Sequence, residues 1–290
     1  MKITVTLIAL LGITLTLGAQ DLPAYTLFTG KGKKADYGDI VKAASKADVV
    51  FFGELHDNPI AHWLELELTK SLYAIKGKDL NLAAEMFERD NQLLIDEYLT
   101  GLVKESSFES EVRKWNNYPT DYKPLLNLAK ENGLKFVASN IPRRYASMVS
   151  SGGFEALEQT SPEAKKFIAP LPVEYDPELP CYKDMLSMSG GPGMHSSDNL
   201  PKAQAIKDAT MAYFILKYWN EGQLTIHYNG SYHSDRHQGI IWHLQKYSPG
   251  IKVITITTVL QDDPEKMDES NKDYADFVVV VPSSMTRTYN

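Results

Sequence analysis

Short apolar runs alternate with amphipathic stretches along most of this chain. Continuous runs of β-branched, aromatic and other apolar residues predict strands that are buried on both faces of a sheet. These runs cover residues 48–53, 80–86, 135–139, 224–228, 251–259 and 277–281. Apolar residues at helical spacing predict helices between them. These helices cover residues 59–72, 90–99, 121–132 (closed by Gly133), a segment opened by Pro142, and residues 202–219 and 234–246.

The alternation of strands and helices determines the predicted fold class. Successive βαβ units give a mainly parallel sheet covered by helices on both faces, which is a three-layer α/β/α fold. About 270 residues suit one such domain, predicted here at 20–290. Residues 151–200 interrupt the pattern with five prolines between 162 and 180 and a Gly/Ser-rich run at 189–197. We expect a helical or irregular cap there, ending in a mobile flap over the site.

The first nineteen residues have the order of a secretory signal peptide. Lys2 is followed by an almost wholly apolar run that ends in small residues at Ala19, and the run is shorter than the roughly 20 residues of a membrane-spanning helix. We therefore expect an exported protein of the periplasm or cell envelope. Cys181 is the single cysteine, so an internal disulfide is excluded and an N-terminal lipid anchor is not supported.

The charge balance narrows the classes of ligand. The chain has 30 Lys and Arg against 37 Asp and Glu, and cleavage after Ala19 removes one of the basic residues, for a net charge of −8. Nucleic-acid binding needs clustered basic residues, so no nucleic-acid partner is expected. Anionic membrane surfaces are disfavoured for the same reason. A small molecule or a metal-containing ligand is the better expectation.

Chemically competent side chains follow four of the predicted strands. Glu54 and His56 follow the first strand and Glu85 the second. Asn140 and Arg143 follow the third strand, and Tyr232 and His233 follow the fourth. In parallel sheets, ligands bind outside the carboxyl ends of the strands. We therefore expect these side chains to converge on one rim, although each alone could equally be a cap, an ion-pair partner or a packing residue.

A Gly-x-x-His motif occurs twice, at 53–56 and at 230–233, each time directly after a strand. We expect the glycine to let the chain turn sharply and the histidine to point to the rim. His56 and His233 with Glu54 suit a divalent metal such as Zn²⁺, Mn²⁺ or Fe²⁺. Glu54 or Glu85 would then orient or deprotonate a bound water. The same histidines could instead hydrogen-bond an oxygen ligand of an iron carried in a macrocycle.

Other polar residues receive weaker assignments. His237 lies four residues beyond His233 on the predicted helix, where it either joins the site or faces solvent. His62, His227 and His243 are interpreted as packing or surface residues. Asp208, near the start of its helix, could pair with Arg143 or Arg144.

The motifs together resemble those of the ChaN-like haem-binding proteins, which are related more distantly to the Tiki proteases and the erythromycin-esterase-like enzymes. The resemblance rests on GELHDNP at 53–59, EMF at 85–87, NIPRR at 140–144, DATMA at 208–212 and GSYH at 230–233. It covers about residues 49–240, with the motifs in the expected order. It implies a three-layer α/β core with added helices.

The resemblance also implies haem binding in iron uptake, with an outer-membrane haem receptor as a possible partner. In the family, a homodimer encloses two stacked haems, and a Tyr from one chain binds each iron with support from a His of the other. The candidates here are Tyr145, Tyr182, Tyr232 and His195. The family's lipid-attachment cysteine is absent. The Tiki relatives hold a catalytic divalent metal with two Gly-x-x-His motifs and a carboxylate, so a metal-dependent hydrolase is the alternative function, with Glu54 and Glu85 as its catalytic residues.

The sequence thus gives one set of residues for cofactor binding. We expect the cofactor to contact Glu54, His56, Glu85, Asn140, Arg143, Tyr145, Tyr182, His195, Tyr232 and His233. Haem is the expected cofactor, with a divalent metal as the alternative.

Overall fold

A computed structural model of the chain describes residues 22–188 and 199–289. The predicted signal peptide, most of the predicted Gly/Ser-rich flap and His195 lie outside these ranges. In the described part, seven strands form one sheet. The strands are β1 Thr26–Thr29, β2 Val49–Glu54, β3 Leu80–Glu88, β4 Lys135–Asn140, β5 Leu224–Gly230, β6 Val253–Gln261 and β7 Phe277–Pro282.

The helices connect the strands in the predicted alternation. They are α1 Tyr37–Ala44, α2 Pro59–Lys76, α3 Gln92–Leu99, α4 Glu105–Glu111, α5 Lys123–Asn132, α6 Arg143–Gly152, α7 Pro162–Lys165, α8 Pro180–Met188, α9 Leu200–Tyr218 and α10 Ile240–Tyr247. Gly133 closes α5 in the left-handed conformation, as its position in the sequence predicts. Within the described ranges, no helix combines the length and apolar character that crossing a membrane requires.

The sheet has the order β1-β7-β6-β2-β5-β3-β4. Strand β1 pairs with β7 in the antiparallel direction, and the remaining pairs are parallel. The short edge strand β1 was not predicted from the sequence.

Alternate residues of the central strands point to opposite faces of the sheet and belong to two separate apolar cores. Val50 and Phe52 point to the face covered by α1 to α5, whereas Val49 and Phe51 point to the face covered by α9 and α10. Both faces are dry, which explains why these strands are continuously apolar instead of alternating. The predicted three-layer fold with a mainly parallel sheet is confirmed.

The cap region packs on α9. Within residues 151–188 it consists of short helices and irregular segments, and Leu157 and Ile168 share a small apolar core with Ile206 of α9. This agrees with the predicted helical or irregular cap as far as Met188.

The predicted helix at 234–246 is wrong in its first half. Arg236 and His237 have φ angles of 58° and 57°, in the left-handed region that an α-helix cannot include, and α10 begins only at Ile240. His237 therefore does not lie one helical turn beyond His233. Its side chain is 40% exposed, and its Nε2 lies 3.3 Å from Asp276 Oδ2.

Candidate functional site

The four strand ends with chemically competent residues are neighbours in the sheet. Strands β2, β5, β3 and β4 are adjacent in that order, and all four run parallel. Their carboxyl ends therefore meet at one rim. The β2–β5 register places Glu54 opposite Gly230, so the two Gly-x-x-His motifs lie side by side.

The glycine of each motif leaves space for atoms of the other motif. A methyl group on Gly230 would stand 2.8 Å from Nε2 of His56, and one on Gly53 would stand 2.9 Å from Cα of Ser231. Gly230 has a φ of −55°, which any residue can adopt, and Gly53 has no positive φ either. The expected sharp turn is therefore not the reason for these glycines. They are required because each motif packs against the other's backbone or imidazole.

His56 is held in one orientation at the rim. Its Nδ1 lies 2.6 Å from Oε1 of Glu54, and the ring of Trp115 contacts the imidazole at 4.7 Å between centroids. Burial alone would lower the pKa of His56, but the hydrogen bond to Glu54 and the charge of Glu85 raise it above the ordinary value. Nε2 has no hydrogen-bond partner among the described residues and stands on the side of Gly230.

His233 is engaged through both ring nitrogens. Nδ1 donates to Oδ1 of Asp208, and Nε2 lies 3.2 Å from Oε1 of Glu85. Burial would lower the pKa of His233, but the charges of these two carboxylates raise it to about 10. In turn, burial would raise the pKa of Glu85, but the charge of His233 lowers it to about 2. At neutral pH this is a buried imidazolium between two carboxylates.

The partners of Asp208 differ from those expected. Instead of Arg143 or Arg144, the carboxylate accepts hydrogen bonds from His233 and from the hydroxyl of Tyr182 at 2.8 Å. Asp208 is 1% exposed and therefore acts inside the protein, fixing the orientation of His233.

Glu54 anchors a buried polar network beneath the rim. Besides His56, its Oε1 accepts a hydrogen bond from the hydroxyl of Tyr122 at 2.7 Å, and its Oε2 lies 3.1 Å from Nδ1 of His62. Burial would raise the pKa of Glu54, but the two histidines lower it well below the ordinary range. Burial would lower the pKa of His62, but hydrogen bonds to Glu54 and Glu65 raise it to about 11.

This network was missed from the sequence. His62 was interpreted as a packing or surface residue, although it is 4% exposed and contacts Glu54. A signal was available: Glu65 lies between Leu64 and Leu68 on the buried face of α2, one turn after His62, and ionisable residues are rarely buried without a partner. Trp115 lies in a loop without any periodicity, so its position depended on the fold.

A cavity of about 480 Å³ opens above the rim. It contains both motif histidines together with apolar and basic side chains. Its lining is His56, Glu85, Met86, Glu88, Arg113, Lys114, Trp115, Asn140, Ile141, Arg143, Lys207 and His233. Four basic residues thus surround a cavity in a chain whose overall charge is negative. Asn140 adds a buried Oδ1 that has no hydrogen-bond partner within residues 22–188 and 199–289.

The three tyrosine candidates do not line this cavity. Tyr182 is fully buried. The hydroxyl of Tyr232 donates to the carbonyl of Cys181 at 2.5 Å, and its ring lines a separate cavity of about 260 Å³. Tyr145 stacks against the guanidinium of Arg144 at 4.5 Å.

The cluster of potential metal ligands in the structure differs from the predicted set of Glu54, His56 and His233. Among the described residues, three potential ligand atoms lie within 4.8 Å of one another in the group Glu54, His62 and Glu65. The predicted set of Glu54, His56 and His233 does not form such a group. Among the described residues that line the cavity, His56 has one imidazole nitrogen without a hydrogen-bond partner, whereas both nitrogens of His233 have partners.

Comparison with known structures supports the fold. The chain is similar to the ChaN protein of Campylobacter jejuni, solved in a study of cofacial haem binding, with a TM-score of 0.68 and 19% identity over 89% of this chain and 97% of that one. At this identity the likeness establishes the fold alone. A mutant erythromycin esterase in its open conformation matches with a TM-score of 0.48 and 13% identity over 89% of this chain and 83% of that one, which is too low to support an argument.

Comparison with curated proteins adds one plant relative. Protein RETICULATA-RELATED 5, chloroplastic, of Arabidopsis thaliana is 24% identical over 205 residues, which cover 67% of this chain. The match spans only about a quarter of the plant protein, 27% of its length.

A family model described as haem-binding uptake, Tiki superfamily, ChaN matches residues 40–244. This range is well over half of the chain, and it includes all four strand ends of the rim and both Gly-x-x-His motifs. The chain therefore belongs to the ChaN family of haem-binding uptake proteins in the Tiki superfamily.

Proposed function

We propose that this protein binds haem in the rim cavity and acts in haem or iron uptake in the cell envelope. The observation that carries the proposal is the arrangement of His56, which lines the cavity with Nδ1 held by Glu54 and with Nε2 lacking a hydrogen-bond partner among the described residues. A carboxylate on the second ring nitrogen is the usual support of an iron- or zinc-binding imidazole. Family membership and the cofacial haem described for the Campylobacter jejuni relative point to the same ligand.

The cavity lining fits haem in both polarity and charge. Trp115, Met86 and Ile141 would offer apolar surface to the flat macrocycle, and the basic side chains Arg143 and Lys207 would pair with its propionates. Haem supplies the iron chemistry. The chain's own contribution would be to fix the imidazole of His56 and to neutralise the propionates.

The oligomeric and cellular parts of the proposal follow from the family. No tyrosine lines the cavity among the described residues, and residues 189–198 after α8 contain His195 but no tyrosine, so we infer that a tyrosine ligand comes from a second chain. We infer a homodimer on haem, with an outer-membrane haem receptor as its partner. Analytical ultracentrifugation with and without hemin tests the dimer, and a monomer at saturating hemin would contradict it.

Hemin titration tests the proposed function. Purified protein should give a saturable change in the Soret absorption, and His56→Ala should weaken hemin binding at least about tenfold because the oriented imidazole is lost. His237→Ala is the matched control, since its imidazole is exposed and outside the cavity. A wild-type titration without saturation would refute haem binding, and equal affinity in His56→Ala would refute the role of this residue.

A metal-dependent hydrolase is the second candidate. It is favoured by two imidazole–carboxylate pairs, His56 with Glu54 and His233 with Asp208, that flank Glu85 at one rim. A metal would have to replace the proton between His233 and Glu85, whose nitrogen and oxygen are 3.2 Å apart. Esterase or peptidase activity that depends on added metal and disappears in Glu85→Gln would establish it. The absence of esterase and peptidase activity with every divalent metal tested would rule out the hydrolase hypothesis.

A further inference from the structure

The residues beneath the rim, on the α2 side of the sheet, form a second candidate site that is separate from the cavity. Glu54 leaves the end of β2, and His62 and Glu65 extend from the first two turns of α2. Their exposed fractions are 1%, 4% and 0%, so the three ionisable side chains lie inside the protein. Burying two carboxylates together is costly unless a cation compensates for their charge.

Two carboxylate oxygens in this group have no hydrogen-bond donor. Oε2 of Glu54 and Oε1 of Glu65 are both buried and unpartnered among the described residues. Oε2 of Glu54 lies 3.1 Å from Nδ1 of His62, which is close enough for an ion pair. The geometry of a hydrogen bond from that nitrogen is met only toward Oε2 of Glu65, at 3.4 Å. Each carboxylate thus has one buried oxygen without a hydrogen-bond partner among the described residues, and one ligand atom from each of the three side chains lies within 4.8 Å of the others.

The spacing of these atoms matches that of ligands around one ion. Nδ1 of His62 is 3.1 Å from an oxygen of Glu54 and 3.4 Å from one of Glu65. Metal–nitrogen and metal–oxygen bonds of about 2.0 to 2.2 Å at a tetrahedral ion separate neighbouring ligand atoms by about 3.3 Å. Both nitrogen–oxygen distances are therefore at ligand spacing, and all three ligand atoms lie within 4.8 Å of one another.

The surrounding groups hold each ligand from behind. Nε2 of His62 lies 3.1 Å from the carbonyl oxygen of His56 and 3.3 Å from Oδ2 of Asp121, which leaves Nδ1 as the nitrogen directed to the ion. Oε1 of Glu54 accepts hydrogen bonds from Tyr122 and His56, which leaves Oε2 unused. Such outer partners fix the orientation of metal ligands in proteins.

We propose that Glu54, His62 and Glu65 form a buried site for one divalent transition-metal ion beneath the haem cavity. One imidazole with two carboxylates suits Zn²⁺, Mn²⁺ or Fe²⁺. Two carboxylates neutralise the charge of such an ion, as a dry site requires. Glu54 also holds His56 through its other carboxylate oxygen. The side chain of Glu54 would therefore connect the ion to the imidazole that lines the rim cavity.

Metal analysis of the full-length protein tests this site. Chelator-treated protein is unfolded, refolded with Zn²⁺ or Mn²⁺, desalted and analysed by mass spectrometry for bound metal. Wild-type protein should retain about one ion per chain. Glu65→Gln should weaken binding by a factor of about 100 or more, since loss of even an outer partner costs 10- to 100-fold. The melting temperature should rise with metal in wild type but not in this variant.

The controls separate this site from the rim. Glu67→Gln lies on the same helix at an exposed ion pair with Lys70 and should bind metal as wild type does. Glutamine has nearly the same size and shape as glutamate, so Glu65→Gln should preserve the metal-free fold, which the melting temperature without metal checks. No retained metal in wild type, or wild-type affinity in Glu65→Gln, would overturn the proposal.

A second measurement does not depend on the variants. Anomalous diffraction from crystals of Zn²⁺-loaded wild-type protein should place the ion between Glu54, His62 and Glu65. An ion located at His56 and His233 instead would refute the buried site and support a metal-dependent hydrolase site at the rim. Neither readout involves hemin, so failure of this proposal and failure of haem binding are distinguishable.

Discussion

Gly230 controls the space in which His56 stands. A methyl group there would meet the imidazole at 2.8 Å from Nε2 and 2.9 Å from Cε1, which is the far end of a side chain that can rotate away. A methyl group on Gly53 would instead meet backbone atoms, Cα of Ser231 at 2.9 Å and the carbonyl oxygen of Ile256 at 3.1 Å. The same substitution should therefore have different consequences in the two motifs.

We predict that Gly230→Ala mainly lowers hemin affinity, because His56 is displaced while the fold adapts. Gly53→Ala should mainly lower the free energy of unfolding, by about 1 to 3 kcal/mol, because the backbone of β5 or β6 must shift. Urea unfolding and hemin titration of both variants measure the two effects. A Gly230→Ala protein with unchanged hemin affinity would show that His56 does not contact the ligand.

Helix α2 carries the buried part of the site, and its start is fixed by one cap. Oδ1 of Asn58 accepts hydrogen bonds from the backbone N–H groups of Ile60 and Ala61, both at 3.0 Å, and Pro59 occupies the first turn. This arrangement places His62 one turn into the helix, against Glu54.

We predict that Asn58→Ala lowers the free energy of unfolding by about 1 kcal/mol, since two backbone donors lose their acceptor. Asn58→Asp should retain most of the stability, because a carboxylate accepts the same hydrogen bonds. Urea unfolding curves of the three proteins measure this. Equal free energies of unfolding for Asn58→Ala and wild type would mean that water accepts the hydrogen bonds of the first N–H groups of α2 in the variant.

The elements differ in how well the sequence predicts them. Strands β2 to β7 are continuous apolar runs whose burial requires a parallel sheet, and they were predicted to within a few residues. The helix at 234–246 is predicted from the helical spacing of its apolar residues, but a backbone hydrogen bond overrides this prediction in its first half. The N–H of Arg236 donates to the carbonyl of Tyr274, which holds the segment outside helical geometry. Strand β1 is four residues long and forms only through its pairing with β7.

At the scale of the molecule, the sheet order explains what could be predicted of the site. A parallel sheet brings strand ends to one rim, so the convergence of Glu54, His56, Glu85 and His233 follows from the sequence alone. The partner of each residue does not follow, because it depends on side-chain packing across elements. Asp208 on α9 reaches His233 only because α9 crosses the sheet on that face.

We predict that acid lowers the stability of the molecule through buried neutral histidines. His227 is fully buried between Ser139 and Asn229, and burial lowers its pKa to about 4. Between about pH 6.5 and 4 the unfolded chain binds a proton that the native state does not, so the free energy of unfolding falls as pH falls through this window. The full loss is about 3 kcal/mol at 1.36 kcal/mol per pKa unit.

His227→Gln removes this contribution, so the difference in stability between variant and wild type should shrink as the pH is lowered from 7 to 5. Urea unfolding at several pH values measures it. Comparing the variant with wild type isolates His227 from His243, whose pKa burial also lowers to about 4. A difference that does not change with pH would contradict a neutral, buried His227.

A crystal structure of the hemin complex would show directly whether haem lies in the rim cavity. We predict that haem occupies this cavity, with His56 near the iron, Trp115 against the macrocycle and the propionates near Arg143 and Lys207. Haem bound elsewhere on the protein, with His56 still facing an empty cavity, would contradict it.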